Sequence, residues 1–179
     1  SKALIQIAGR PMVSYVVDAL AGSRYVDHMV IVALDPQAGL QLPLPVDFVP
    51  DTHDLLGNIE SGIQFAQARY PDLDGILLSS SDVPLVTSAI VDEFVDECLR
   101  TEHELYYSIV ERSRMERRFP GSRRSYVHLR EGDFAGGDIM VIRPSLIVRR
   151  RELWQQLAAS RKNALRQVRL FGLWPLLKL

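Results

Sequence analysis

The sequence predicts an α/β fold, with a mainly parallel central sheet flanked by helices and an antiparallel addition in the second half of the chain. Strand and helix patterns alternate through residues 1–100, as in parallel sheets joined by right-handed crossovers. One of these strands, Ile76–Leu78, is apolar without polar alternation, which is typical of a strand covered on both faces. Beyond residue 104, three further strand patterns favour the antiparallel addition.

The first elements follow from apolar periodicity and turn residues. Residues 2–11 form a short apolar segment and a turn, and the helix that follows begins at Pro11 and ends at Gly22. Strands are expected over 28–34 and 46–49. The chain thus opens with a turn, a helix and two strands.

The middle of the chain continues the alternation. A loop over 51–58 precedes a helix over 59–70, which Pro71 stops. The strand at Ile76 runs to Ser81, and a helix is expected over about 88–100.

Strands dominate the predicted second half. They cover 104–110, 125–130 and 138–143, and an arginine-rich connector separates the first from the second. Helical patterns that include Trp154 and Val168 close the chain. The Arg149–Arg151 run before them is interpreted as a polar helix face.

Composition indicates one globular domain over residues 1–179 with no membrane segment. Apolar residues make up 47% and charged residues 24%, which are ordinary values for a domain with a real core. No run of about 18 apolar residues exists for a membrane span. The single cysteine, Cys98, falls in an apolar helical pattern and is predicted to lie in the core. A lone cysteine excludes a disulfide framework and suits a reducing cytoplasm.

Charge is divided unequally along the chain. Residues 1–108 carry 5 Lys and Arg against 16 Asp and Glu, whereas residues 109–179 carry 16 against 6. A basic half can bind a phosphorylated ligand or nucleic acid. The alternative is that the two halves neutralise each other within one fold.

The chain is organised around the end of the strand at Ile76. Its sequence becomes small and polar and ends in Asp82-Val83-Pro84, where the proline cannot continue a central strand. Ligands of open α/β sheets bind at such strand ends, and Mg2+ near nucleotide phosphates is held by one or two carboxylates. Asp82 is therefore a candidate Mg2+ ligand, unless it merely starts a turn.

Three motifs occur in an order that resembles a known family. They are Lys2-Ala-Leu-Ile-x-x-x-Gly9-Arg10-Pro11-Met12, the strand ending in Asp82-Val-Pro-Leu, and Phe134-Ala-Gly-Gly-Asp138. Together they resemble the MobA-like nucleotidyltransferases, related to molybdenum cofactor guanylyltransferase and the sugar-phosphate nucleotidyltransferases. The resemblance covers nearly the whole chain and implies a Rossmann-like fold of the GT-A type.

The resemblance implies a reaction and roles for several residues. The reaction is transfer of a nucleoside monophosphate from a nucleoside triphosphate (NTP) to a small phosphorylated acceptor, with release of pyrophosphate. Asp82 is similar to the family's Mg2+-binding aspartate, and Lys2 to a lysine that contacts phosphate. The segment containing Gly57, Asn58 and Ser61 is similar to the family's segment that borders the nucleotide base.

Each of these roles has a structural alternative. Lys2 could be an ordinary solvated lysine, and Asn58 and Ser61 could cap a helix or face solvent. Gly57 and Gly62 could reflect turn geometry or close helix packing.

The chain also departs from the family pattern. The family's signature strand and glycine-rich loop would precede Lys2, and a later acidic residue that completes the metal site would follow Leu179. We expect that the domain lacks these segments here and that the intact protein has them.

Two further groups extend the candidate site. Gly136 and Gly137 precede Asp138 between two predicted strands, where a bare backbone could approach a ligand; the alternative is a bulge or a turn with positive φ. Asp138 is a weaker candidate for the acceptor site or a second metal. The arginine-rich connector contains two pairs of arginines that fit an anionic acceptor, since guanidinium groups bind phosphate bidentately. The alternative is a solvated basic loop. The four residues are Arg117, Arg118, Arg123 and Arg124.

Two other functions stay open. A GT-A-like glycosyltransferase would use a nucleotide sugar, but that class typically has an Asp-x-Asp pair, and Ser80-Ser81-Asp82 offers one carboxylate. A non-catalytic nucleotide-binding or interaction domain is the other. RNA binding would bring aromatic residues among the arginines, and only Phe119 and Tyr126 stand there, so no nucleic-acid partner is expected. The sequence leaves a homodimer open.

Overall fold

The computed structural model describes residues 1–146. The predicted helical patterns at Trp154 and Val168, and the Arg149–Arg151 run, lie outside the described residues. A 3-10 turn at Lys2–Leu4 precedes the other elements. The helices are α1 Met12–Ala21, α2 Leu55–Arg69, α3 Ser88–Cys98 and α4 Arg112–Arg118. The strands are β1 Gln6–Ile7, β2 Arg10–Pro11, β3 Met29–Val32, β4 Val46–Val49, β5 Ile76–Ser79, β6 Leu105–Glu111, β7 Val127–Leu129 and β8 Gly132–Ile142.

The chain opens with a small hairpin that leads into α1. Ala8 and Gly9 join β1 to β2 with φ angles of 49° and 80°, the positive values that a two-residue hairpin turn needs. α1 ends at Ala21 with Gly22 as its C-cap, as predicted, and the Gly22 amide makes the last helical hydrogen bond, to the Asp18 carbonyl at 2.9 Å. One face of α1 is buried, including Val13 and Val17.

A parallel strand pair follows, with α2 packed on it. β3 and β4 pair in parallel from Met29 opposite Val46 to Val32 opposite Val49. The contact with α2 is close, since a Cβ added at Gly62 would lie 2.9 Å from a methyl carbon of Val32. Close helix packing, one of the predicted alternatives, is therefore confirmed for Gly62.

The second sheet is antiparallel and contains β5. β8 is its central strand, with β5 on one side and β6 on the other, and β7 forms a hairpin with the first residues of β8. The whole of β5, Ile76–Ser79, is half-buried rather than fully covered.

The core has two parts, one beside each sheet. The first gathers residues of the opening turn, α1 and β3 around Met29, and the second joins Ile63 of α2 to Ile142 of β8. Cys98 of α3 is 5% exposed, so its predicted place in the core is confirmed. Within residues 1–146, no helix combines the length and apolar character that crossing a membrane requires.

The predicted α/β class is confirmed, with a parallel strand pair and an antiparallel sheet. Among the differences from the predicted elements, three concern the candidate site. α2 starts at Leu55 rather than residue 59, because the Asp54 carboxylate caps it by accepting a hydrogen bond from the Gly57 amide at 2.9 Å. The arginine-rich connector contains the short helix α4. β8 starts at Gly132, so Gly136 and Gly137 lie inside a strand and not between two strands.

Candidate active site

Asp82 lies three residues beyond the end of β5, in the turn that leads toward α3. Its side chain is exposed, and its Oδ1 accepts a hydrogen bond from the Ser80 hydroxyl. Within residues 1–146 no Lys, Arg or His side chain forms an ion pair with Asp82. The carboxylate therefore carries a negative charge that no cationic side chain of this part of the chain neutralises.

The backbone links this strand end to β8. The Ser80 amide donates a hydrogen bond to the Asp138 carbonyl at 2.9 Å, one step beyond the pairing of Ser79 with Ile139. The segment that carries Asp82 thus lies beside the segment that carries Asp138, as the two motifs of the sequence require if they share a site.

β8 bulges at this point. Tyr107 pairs with Met140 and Ile109 with Gly136, so one residue of β6, Ser108, faces three residues of β8. The Ser108 hydroxyl closes the gap by donating to the Ile139 carbonyl at 2.7 Å. Bulges of this kind bend a strand and redirect its side chains.

Gly136 and Gly137 are crowded by β6. A Cβ at Gly136 would meet the Tyr107 hydroxyl, and one at Gly137 would lie 2.8 Å from the Ser108 carbonyl oxygen. The alternative of a bulge is therefore confirmed, while neither glycine has a positive φ. In the described structure these glycines allow close approach of β6; their role toward a ligand stays a prediction.

Arg124 and Asp138 form an ion pair at 3.1 Å, joining Nη2 to Oδ2. The other terminal nitrogen of Arg124 donates to the Gly136 carbonyl at 3.5 Å. Both side chains are about one third exposed, at 38% and 34%. Two predicted site residues are thus in contact, and the Asp138 carboxylate is already paired with a cation.

Tyr107 completes this group. Its pKa is raised, first by burial and then by the Asp138 carboxylate, while Arg124 opposes the shift. The phenol therefore keeps its proton at neutral pH. Tyr107 and Ser108 had not been predicted as site residues, because their strand shows only ordinary alternation and their importance comes from the glycines opposite.

The other predicted arginines lie apart from this pair. Arg117 and Arg118 end α4, and the Arg118 guanidinium lies 5.8 Å from the centre of the Phe119 ring. Arg123 is exposed in the loop that follows. Arg117 and Arg123 form no ion pair with another residue of the described range.

Asn58 organises the loop after β4. Its Oδ1 accepts from the Thr52 amide at 2.7 Å and the Thr52 hydroxyl at 2.8 Å, and its Nδ2 donates to Asp51 at 2.9 Å. The Asn58 bond, together with the His53 amide, lowers the pKa of Asp51. This loop lies at the carboxyl ends of the parallel strands, where ligands of α/β sheets bind.

The neighbours of Asn58 have local partners as well. A Cβ at Gly57 would lie 2.5 Å from the Thr52 hydroxyl oxygen, and the Ser61 hydroxyl donates to the Asn58 carbonyl at 3.1 Å. The first contact places the loop against α2, and the second lies within α2. Contacts of the three residues with a base remain predictions.

Lys2 lies in the opening 3-10 turn, which packs against α1. Its side chain is exposed and makes no hydrogen bond or ion pair with the rest of residues 1–146. Its ammonium group is thus free of protein partners in this range.

The donor set around Asp82 is sparse. Residues 1–146 contain no group of three or more His, Cys, Asp or Glu side chains placed to hold a metal ion. Such a set does not suit zinc, which takes four protein or water ligands, but it suits Mg2+, which is usually held by one or two carboxylates with phosphates and water. The exposed carboxylate of Asp82 fits that ion.

Comparison with family models identifies the chain. Residues 1–171 match the model of the MobA-like NTP transferase domain. The chain belongs to this family. The MobA-like resemblance of the sequence motifs is thereby confirmed, and the domain is a nucleotidyltransferase.

Solved structures agree with this family. A hypothetical transferase from Thermus thermophilus is 36% identical, with a TM-score of 0.78, and the match covers 100% of this chain and 72% of that one. CMP:2-keto-3-deoxy-manno-octonic acid synthetase complexed with CTP is 13% identical, with a TM-score of 0.67 and coverage of 96% and 78%.

The 4-diphosphocytidyl-2C-methyl-D-erythritol synthase of Anaerococcus prevotii is 10% identical, with a TM-score of 0.65 and coverage of 97% and 78%. At these lower identities the last two proteins show a shared fold. Among curated proteins, none matches the sequence.

Proposed function

We propose that this MobA-like domain transfers a nucleoside monophosphate from an NTP to a small phosphorylated acceptor, such as a sugar, alditol or cofactor phosphate. An acceptor phosphate oxygen attacks the α-phosphorus, a new P–O bond forms, and the bond to the β-phosphate oxygen breaks. Pyrophosphate leaves with that electron pair. Two of the solved structures named above, one of them bound to CTP, support an NTP as the donor.

One observation carries the proposal. The carboxylate of Asp82 stands exposed beyond the end of β5 and has no cationic partner in residues 1–146. Asp82 would hold Mg2+, and the ion would neutralise charge on the triphosphate as it rearranges. Such transfers depend mostly on positioning and on neutralising charge, so a single well-placed carboxylate matters strongly.

Cationic side chains of the protein would bind the other phosphate groups of the two substrates. The ammonium group of Lys2, which has no partner in residues 1–146, would contact a donor phosphate as a point charge. The arginines of the connector, Arg117 to Arg124, would attract the anionic acceptor. Asn58 and its loop would border the base.

The same observation argues against a glycosyltransferase. Ser80 stands where the first carboxylate of an Asp-x-Asp pair would be, and its hydroxyl donates to Asp82 instead of offering a second charge.

We place the reaction in the cytoplasm, in keeping with the single buried cysteine.

Pyrophosphate release tests the proposal. The full-length protein is incubated with each of ATP, GTP, CTP and UTP and a panel of sugar, alditol and cofactor phosphates, and a coupled pyrophosphatase reports the product. We expect release with one nucleotide, only when both acceptor and Mg2+ are present. Transfer of a sugar from a nucleotide sugar, without pyrophosphate, would contradict the proposal.

A further inference from the structure

We infer that Arg124 and Tyr107 bind the phosphate group of the acceptor, and that Asp138 orients Arg124 instead of holding a metal ion. The inference rests on the proposed function and names the subsite for its second substrate, a phosphomonoester.

The guanidinium group of Arg124 is held in place from two sides. Asp138 takes one terminal nitrogen at 3.1 Å, and the Gly136 carbonyl takes the other at 3.5 Å. A guanidinium carries more N–H groups than these two contacts use, and its side chain is 38% exposed. Arg124 is therefore fixed in orientation and still has donors for an incoming oxygen anion.

Tyr107 adds a hydroxyl donor to the same place. The crowding at Gly136 shows that the phenol oxygen lies directly over the β8 backbone that Arg124 contacts. Because burial and Asp138 raise the pKa of Tyr107, its O–H is protonated at neutral pH and can donate to phosphate. The phenol is also half exposed, so a ligand can reach it.

The bulge explains why Asp138 reaches Arg124. Ser108 faces three residues of β8, and the extra length takes Asp138 out of regular pairing with β6. Glycine at 137 allows this, since a Cβ there would lie 2.8 Å from the Ser108 carbonyl oxygen. The bulge and the glycines thus serve one geometry, in which an aspartate projects from the strand to a guanidinium group.

Local charge favours an anion although the Arg124–Asp138 pair is itself neutral. Residues 112–126 contain six arginines and the single carboxylate of Glu116. Arg117 and Arg123 have no ion-pair partner in residues 1–146. The connector therefore supplies net positive charge, and the Arg124–Asp138 pair fixes the direction in which the Arg124 N–H groups point.

The place also suits a second substrate. Through the Ser80–Asp138 backbone bond, the pair lies beside the turn that carries Asp82. An acceptor phosphate bound by Arg124 would thus lie next to the proposed metal and donor site, as attack on the α-phosphorus requires.

Titration of the full chain with inorganic phosphate, without Mg2+, tests the subsite. NMR signals of the Gly136, Gly137 and Asp138 amides are expected to shift to saturation. Arg124→Gln should weaken binding about tenfold or more, and Tyr107→Phe about fivefold. Arg100→Gln is the control, since this exposed arginine lies just past the C-terminal end of α3 and pairs with Glu97, and it should change binding less than about twofold.

Asp138 variants separate orientation from metal binding. Asp138→Ala should weaken phosphate binding about fivefold or more in the absence of Mg2+, and Asp138→Asn, which keeps an oxygen for Arg124, should recover part of it. If Asp138→Ala leaves metal-free phosphate binding unchanged, the orienting role is wrong. If phosphate causes no shift, or if Arg100→Gln and Arg124→Gln are equally impaired, the subsite is wrong.

A second measurement on the same samples separates this inference from the proposed function. Stabilisation by an NTP with Mg2+ together with absent phosphate binding would overturn the subsite and leave the transferase proposal standing. Phosphate binding without stabilisation by any NTP would overturn the transferase proposal, and with it the assignment of the phosphate to an acceptor.

Discussion

The backbone amide of Ser80 donates to the carbonyl of Asp138 at 2.9 Å. This bond joins the turn after β5 to the bulge of β8, so the two carboxylates that the sequence suggested as metal ligands belong to adjacent segments. Their surroundings differ. Asp82 is exposed and accepts only from a serine hydroxyl in the described range, whereas Asp138 is paired with Arg124.

Asp82→Asn should lower Mg2+-dependent turnover by roughly a hundredfold or more while the protein stays folded, because the amide removes the charge that would hold the ion. Steady-state kinetics and thermal unfolding measure the two effects. Asp74→Asn is the control, since Asp74 is an exposed carboxylate that precedes β5 at its other end. Equal kinetics for Asp82→Asn and the parent protein would remove Asp82 from the mechanism.

Gly137→Ala should destabilise the protein by about 1–3 kcal/mol, because its Cβ would lie 2.8 Å from the Ser108 carbonyl oxygen, a backbone atom that cannot move aside cheaply. Urea unfolding measures the change. Gly75→Ala is the control, since a Cβ there meets its first neighbour at 3.6 Å. Similar stabilities of the two variants would show that the bulge is not tightly packed.

Asn58→Ala should raise the pKa of Asp51 toward its ordinary value of 3.8, because the Asn58 amide is the largest cause of its lowering. With a lowered pKa in the folded state, Asp51 contributes stability that is present above pH 3.8 and is lost as the pH falls through the folded value. The variant should therefore lose less stability on acidification over this range. Carboxyl-carbon NMR measures the pKa directly, and an unchanged titration of Asp51 would contradict the assigned bond.

Cys98 should resist thiol reagents in the native protein. It is 5% exposed, and burial raises the pKa of its thiol, which leaves little of the reactive thiolate. A disulfide reagent that gives a coloured product should react about a hundredfold faster in guanidinium than in buffer. Since the chain has one cysteine, the signal is unambiguous, and rapid labelling without denaturant would show that α3 is not packed as described.

Local sequence signals predicted much of the fold. The predicted bounds of β4 are the observed ones, Val46–Val49, and the glycine predicted to terminate α1, Gly22, is its C-cap. The start of α2 was missed although a signal existed, since Asp54 is a capping residue three positions before Gly57.

The length of β8 could not be read locally. Glycine is typical of turns, so Gly136 and Gly137 were placed between strands. The side chains and backbone that require glycine there belong to Tyr107 and Ser108, about thirty residues earlier in the chain. For the same reason the sequence named Arg124 and Asp138 separately, and only the fold shows that they are partners.

The most direct test of the central role of Asp82 is thermal unfolding of the full-length protein and of Asp82→Asn with each of ATP, GTP, CTP and UTP, with and without Mg2+. A ligand at a hundred times its Kd adds about 2.7 kcal/mol, which raises the midpoint by roughly 5–10 °C for a domain of this size. We expect such a shift with one nucleotide, only with Mg2+, and not in Asp82→Asn. A nucleotide shift that is the same in the variant, or that does not depend on Mg2+, would contradict the account.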